Sequence, residues 1–191
     1  MWATLDPRMV VSSHHGWAEV RAAHAPPRRT FLTLVLPFSL VPAAMLLYAG
    51  YMHADALVPG STFAEWSVAA AVFLLAELLT VPLMARLLHE VLGEAAPPLD
   101  ACFALTAYAA IPLWLSSLGL FSSNLYVVGL IAVLGLGAAF MTLFHGLAAF
   151  FAPREDAIES QYYAYVVLAT GLCGWLLLIA LLALMLGFTR I

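Results

Sequence analysis

Lysine is missing from this chain altogether, and cysteine nearly so: the seven basic residues are all arginines, and only Cys102 and Cys173 occur among 191 residues. The two cysteines fall within apolar stretches at different depths, which excludes a disulfide framework and a paired metal site built on them. Charge of either sign is scarce, at 9% of residues, against about 25% in an ordinary soluble domain. From Ala101 to Pro153 there is no Asp, Glu, Lys or Arg, and His145 is the one imidazole. A run so long and so apolar has no polar surface to turn toward water, so it is not the core of a soluble domain. Signatures of soluble-enzyme chemistry are missing too. There is no glycine-rich phosphate loop behind a strand, no G-x-S-x-G elbow, no zinc-protease histidine pair and no cysteine pair, so no catalytic residue, cofactor or metal site is expected. The first thirty residues lack a compact apolar run behind a basic start, and no cleaved signal peptide is expected.

What is present is hydrophobic length. Hydrophobic residues make up 64% of the chain, and a helix needs about 20 of them in a row to cross hydrocarbon. Five such stretches are read, at about 31–52, 63–89, 99–120, 125–151 and 160–188. The expected fold is all-α: a polytopic five-transmembrane-helix bundle over residues 31–191, behind a short cytoplasmic N-terminal segment of residues 1–30. Pro37 and Pro42 should bend the first span, since neighbouring helices can satisfy the carbonyls they free. Pro97, Pro98 and Asp100 open the third, and Ser122-Ser123-Asn124 turns the chain into the fourth. The fifth is long enough to tilt or to project past the interface.

Arginine counting sets the orientation. Five spans place Arg8, Arg21, Arg28, Arg29, Arg86 and Arg154 on one side and Arg190 alone on the other, so the N-terminus is expected in the cytoplasm and the C-terminus outside. Tyr162, Tyr163 and Tyr165 would then lie at the cytoplasmic interface, with Trp66 and Tyr126 near the outer one. Six arginines on that face follow from topology and give no reason to expect nucleic acid. Ahead of the first span, residues 15–24 can form one short interfacial helix with Trp17, Val20 and His24 at helical spacing, lying on the membrane surface; the alternative is a disordered basic tail. Pro26-Pro27 ends it, and Arg28 and Arg29 stand where anionic headgroups would meet them. Trp17, Arg28, Arg29 and Arg154 are the cytoplasmic docking candidates, the last beside the acidic loop of Glu155, Asp156 and Glu159.

Polar residues inside the spans need a reason. Glu77 lies near the middle of the second span, where an ionised carboxylate costs on the order of 3 kcal/mol or more unless paired or protonated. It should face the bundle. Thr80 follows one turn on, and Tyr108 and His145 lie at comparable depths on other spans, so a hydrogen-bonded chain through Glu77, Tyr108 and His145 would make a proton or cation relay. Simple interhelical bonding by Glu77 is the other reading, worth about 0.6 to 2 kcal/mol. Arg86 and Glu90, four apart, should pair on the helix surface. His89, Glu90 and Glu94 have no recognised ligand spacing, nor do His14, His15 and His24.

Small residues suggest where helices touch. Gly135 with Ala139, and Thr170 with Gly174, are each four apart and would permit close approach, for bundle packing or for self-association. Gly146 beside His145 marks a packing position. Pro112 frees a carbonyl near Tyr108, either as a binding feature or as a kink satisfied by Ser116 or by a neighbouring helix. No solenoid repeat is visible, and the third and fourth spans are not an inverted copy of the first two, which counts against a secondary transporter.

The string AYAAIPLWLSSLG (107–119), followed by a span ending in FHGL (144–147), resembles the Yip family of membrane proteins, and its bacterial inner-membrane branch in particular. Upstream, Trp17, Glu19 and Val20 lead into LVLPFSLVPAAMLLYAGY, which looks like the family's proline-rich first span, and PPLDACFALTAY opens the third span in the family's manner. The likeness covers residues 15–185. It implies a five-helix bundle in the bacterial inner (cytoplasmic) membrane, with the N-terminus cytoplasmic and the C-terminus periplasmic. Eukaryotic members bind small prenylated GTPases and assist vesicle budding and fusion through a cytoplasmic N-terminal region; the bacterial branch has no settled activity. The function expected is therefore non-enzymatic: organising or assisting other membrane components through helix packing and cytoplasmic segments. Its partners would be membrane lipids and either another membrane protein or a second copy. The alternative is a small transporter or channel with a proton or cation path marked by Glu77 and His145.

Overall fold

The computed structural model describes Met9 and residues 16–151 and 157–188, with side chains described over that range except at 95, 151, 157–161, 178–179 and 181–188. Among these residues every regular element is helical. Helix α1 (Trp17–Ala23) is short. The long helices that follow are α2 (Pro27–Met52), α3 (Phe63–Leu92), α4 (Leu99–Phe121), α5 (Leu125–Phe151) and α6 (Ala157–Phe188). Helices α2 to α5 are each long and apolar enough to cross a membrane, and within α6 the stretch Tyr162–Leu177 is apolar as well. The protein is an all-α membrane bundle.

Several of these helices start or turn where local chemistry accommodates unpaired backbone groups. Proline at the first position of α2 costs nothing, because that N–H would be unpaired anyway. A π turn over Phe31–Val35 lies just before Pro37; the Leu36 N–H reaches back to the Phe31 carbonyl, widening the helix where the proline cannot donate. Helix α3 opens on a capping box: the Glu65 N–H donates to Thr62 Oγ1 at 3.4 Å, and the Thr62 N–H to Glu65 Oε2 at 2.7 Å. It ends at Gly93, whose φ of 54° favours a residue without Cβ. Asn124 caps α5 by accepting from the N–H groups of Tyr126 (2.9 Å) and Val127 (3.4 Å).

Helix α4 is the axis of the bundle. Of its most apolar window 61% is buried, against 22% for α5 and 33% for α3, and it packs on α2, α3 and α5. The outer helices carry apolar side chains on both faces. On α3, Trp66, Ala70, Phe73, Glu77, Val81, Ala85 and Leu88 point inward, while Leu75, Leu79, Leu83 and Leu87 form an exposed row. Such a row suits hydrocarbon and not water, so the protein contacts lipid along this flank.

Missing side chains allow close approach at particular points. A Cβ on Gly135 would collide with the Ser116 side chain and stand 3.0 Å from the Pro112 carbonyl oxygen, so α5 rests directly on the proline turn of α4. Ala139, one turn on, is fully buried. Gly50 likewise admits Trp66. Of the two uses expected for Thr170 and Gly174, packing within the bundle does not hold: both are exposed, and among the described residues nothing stands within 4 Å of where a Gly174 Cβ would be. The close approach on α6 is made by Gly171, against Met84 of α3. The physical reason is register, since Leu168, Gly171 and Leu172 face the bundle and their neighbours turn outward. Ser116 donates to the Leu113 carbonyl at 2.7 Å, so it is not the partner of the carbonyl freed by Pro112.

The N-terminal segment corrects a second expectation. Trp17 does not lie on the membrane surface; it is fully buried, wedged into the bundle between α4 and α5. Its ring packs edge-on against Tyr108 and Phe150, each at 6.0 Å between centroids, and its N–H donates to the Met9 carbonyl at 3.2 Å. Arg21 donates to the Ala149 carbonyl at 2.9 Å, and His24 stands 3.6 Å from Asp100. An indole gains more by filling a gap between helices than by floating at an interface, provided its N–H finds an acceptor.

Candidate intramembrane polar site

The inward row of α3 places Glu77 in the middle of the bundle, 1% exposed. One of its oxygens, Oε1, accepts a hydrogen bond from the Trp175 indole N–H of α6 at 3.1 Å, joining residues 98 apart in sequence. The Trp114 indole of α4 also stands by the carboxyl. The second oxygen, Oε2, is buried without a hydrogen-bond partner. Around this carboxyl lies a cavity of about 60 Å³ between α3, α4, α5 and α6, walled by Val81, Leu113, Leu143 and Leu172, with Thr80, Thr106 and the indoles of Trp114 and Trp175 as its other polar lining.

The remaining intramembrane candidates have other neighbours. Thr80 donates to the Glu77 backbone carbonyl at 3.3 Å, so it is tied to its own helix. Tyr108 packs under Trp17. His145 is half-buried with its ring against Phe144. Among the described residues no hydrogen bond links any two of Glu77, Tyr108 and His145, and neither of the latter two lines the cavity. Pro112 and Gly135 belong to the α4–α5 contact. Gly146 is the floor beneath Trp17, where a Cβ would come within 2.6 Å of the indole.

At the other candidate positions, Arg28 and Arg29 are exposed at the start of α2. Arg86 and Glu90 pair at 3.4 Å on the surface of α3, as their spacing predicts. The His89 ring bonds the Pro97 carbonyl at 3.0 Å, and no cluster that could hold a metal ion occurs among the described residues. Arg154 lies outside the described residues, as do Glu155, Asp156, Arg8, Arg190, His14 and His15; the Glu159 side chain does also.

Sequence reasoning missed Trp175 and Trp114. A signal was available: tryptophan favours the membrane interfaces, so one near the middle of a span asks for a buried acceptor, and Glu77 is the carboxylate at that depth.

Comparison with known proteins adds one finding. The family model described as the Yip1 domain matches residues 8–178. Comparison with curated proteins returns no match, and neither does comparison with solved structures.

Proposed function

The chain belongs to the Yip1 family, a family of membrane proteins, and from that premise we propose that it acts without catalysing a reaction, organising or assisting other membrane components. The observation that carries this reading is the separation of the intramembrane polar groups. A proton or cation path needs exchangeable groups within hydrogen-bond reach of one another through the span. Here Glu77 is held by Trp175, Tyr108 is covered by Trp17, and His145 packs against Phe144. The carboxyl ties α3 to α6, which is a packing role.

On this reading the protein sits in the bacterial inner membrane with its N-terminus cytoplasmic and its C-terminus periplasmic. Its working surfaces are the lipid-facing helices and the cytoplasmic rim with exposed Arg28 and Arg29, and its partner is a membrane protein or a second copy. Extraction of the protein with its surrounding bilayer, followed by native mass spectrometry, tests this. A stoichiometric protein partner, or a dimer, is expected. A bare monomer in native membrane patches speaks against it.

A further inference from the structure

The Glu77 cavity is short of donors. Trp175 spends its one N–H on Oε1, and the Trp114 indole, which also stands by the carboxyl, makes no hydrogen bond to Oε2. Thr80 gives its proton to the Glu77 carbonyl, and Thr106 gives its own to the carbonyls of Cys102 and Phe103, both at 3.0 Å. Each hydroxyl is left with lone pairs only, and Glu77 Oε2, on a side chain 1% exposed, has no partner at all. A buried acceptor left unpaired is costly, so this lining favours any molecule that brings an O–H.

The approach to the cavity limits what that molecule is. Thr80 both lines the cavity and is exposed on the flank of α3 in mid-span, between the lipid-facing Leu79 and Leu83. Entry is therefore from hydrocarbon, which a bare cation or an ammonium group crosses only at high cost. Met84, whose flexible thioether lies against Gly171, borders the same side and can shift without disturbing the backbone. A volume of about 60 Å³ holds a hydroxyl and the carbons next to it, and a longer tail has room only outside.

We propose that this cavity binds the hydroxyl end of a neutral alcohol or phenol dissolved in the bilayer, donating its O–H to Glu77 Oε2, with the tail leaving beside Thr80. The site goes beyond the organising role and does not depend on it.

Photolabelling of the full chain in lipid nanodiscs tests the proposal, using octanol that carries a diazirine beside its hydroxyl end. The expected result is saturable labelling at the cavity walls, on the α3 segment from Glu77 to Met84 or on Leu168 to Trp175 of α6, competed by decanol and not by decane. Ala110→Phe, which fills the cavity, should reduce that labelling several-fold, and Glu77→Leu, which removes the acceptor, should do so if the larger side chain at 110 prevents folding; Gly174→Ala should leave it unchanged. Labelling spread over lipid-facing positions, or competed equally by decane, overturns the proposal. So does an absence of saturable labelling, which would mean that the cavity holds water alone.

Discussion

The indole of Trp17 occupies the space that a side chain on Gly146 would need: a Cβ there would stand 2.6 Å from the ring. The first helix and the fifth are thus fitted to each other, and the N-terminal segment is part of the packed core. Trp17→Ala should lower stability by about 3 kcal/mol or more, as truncation of a buried aromatic does. Removal of residues up to Pro26 should cost at least as much. Thermal unfolding in mild detergent checks both, and a truncated protein as stable as the full chain would show that the wedge is dispensable.

The Glu77–Trp175 bond predicts different outcomes for two replacements of one residue. Glu77→Gln keeps an oxygen for the Trp175 N–H and should unfold close to the native protein. Glu77→Leu leaves that N–H unpaired between helices and should cost on the order of 1 kcal/mol. Trp175→Phe removes the donor to Oε1 and leaves only the Trp114 indole beside the carboxyl, with a loss of similar size. A denaturation series in mixed micelles ranks the three, and equal stability for Glu77→Gln and Glu77→Leu would mean that the bond contributes nothing.

Two glycines that resemble each other in sequence should behave differently. Gly135→Ala drives a methyl into Ser116 and toward the Pro112 carbonyl, neither of which can move far, and should cost about 1–3 kcal/mol. Gly174→Ala meets nothing within 4 Å and should change stability by no more than about 0.5 kcal/mol. Melting temperatures measured side by side decide it.

The arginine distribution predicts topology. A reporter fused after Ile191 should be active only if it functions in the periplasm, and one fused ahead of Met1 only if it functions in the cytoplasm. A cytoplasmic signal from the C-terminal fusion would contradict the five-span arrangement.

What the sequence made legible follows from the solvent. Apolar length alone locates the helices, because a membrane leaves the backbone few other options. The inward direction of Glu77 follows from the cost of exposing it to lipid. Which helix faces which is a different matter, since apolar residues cover both sides of every span and little amphipathic pattern survives to give rotation. Gly174 and Gly171 are therefore indistinguishable by spacing, although only the second touches Met84. The place of Trp17 is hidden for a related reason: a short amphipathic segment has the same pattern whether it lies on lipid or wedges between α4 and α5. The partner of Glu77 was hidden because it lies 98 residues away, a separation that no local pattern spans.

On the proposed function, Glu77 binds helices together and does not carry ions. The most direct test is proton and cation flux in sealed proteoliposomes loaded with a pH-sensitive dye, comparing the native protein, Glu77→Gln and empty vesicles under an imposed gradient. Flux equal to that of empty vesicles for both proteins is the expected result. Flux above that background in the native protein, lost in a stably folded Glu77→Gln, would contradict it.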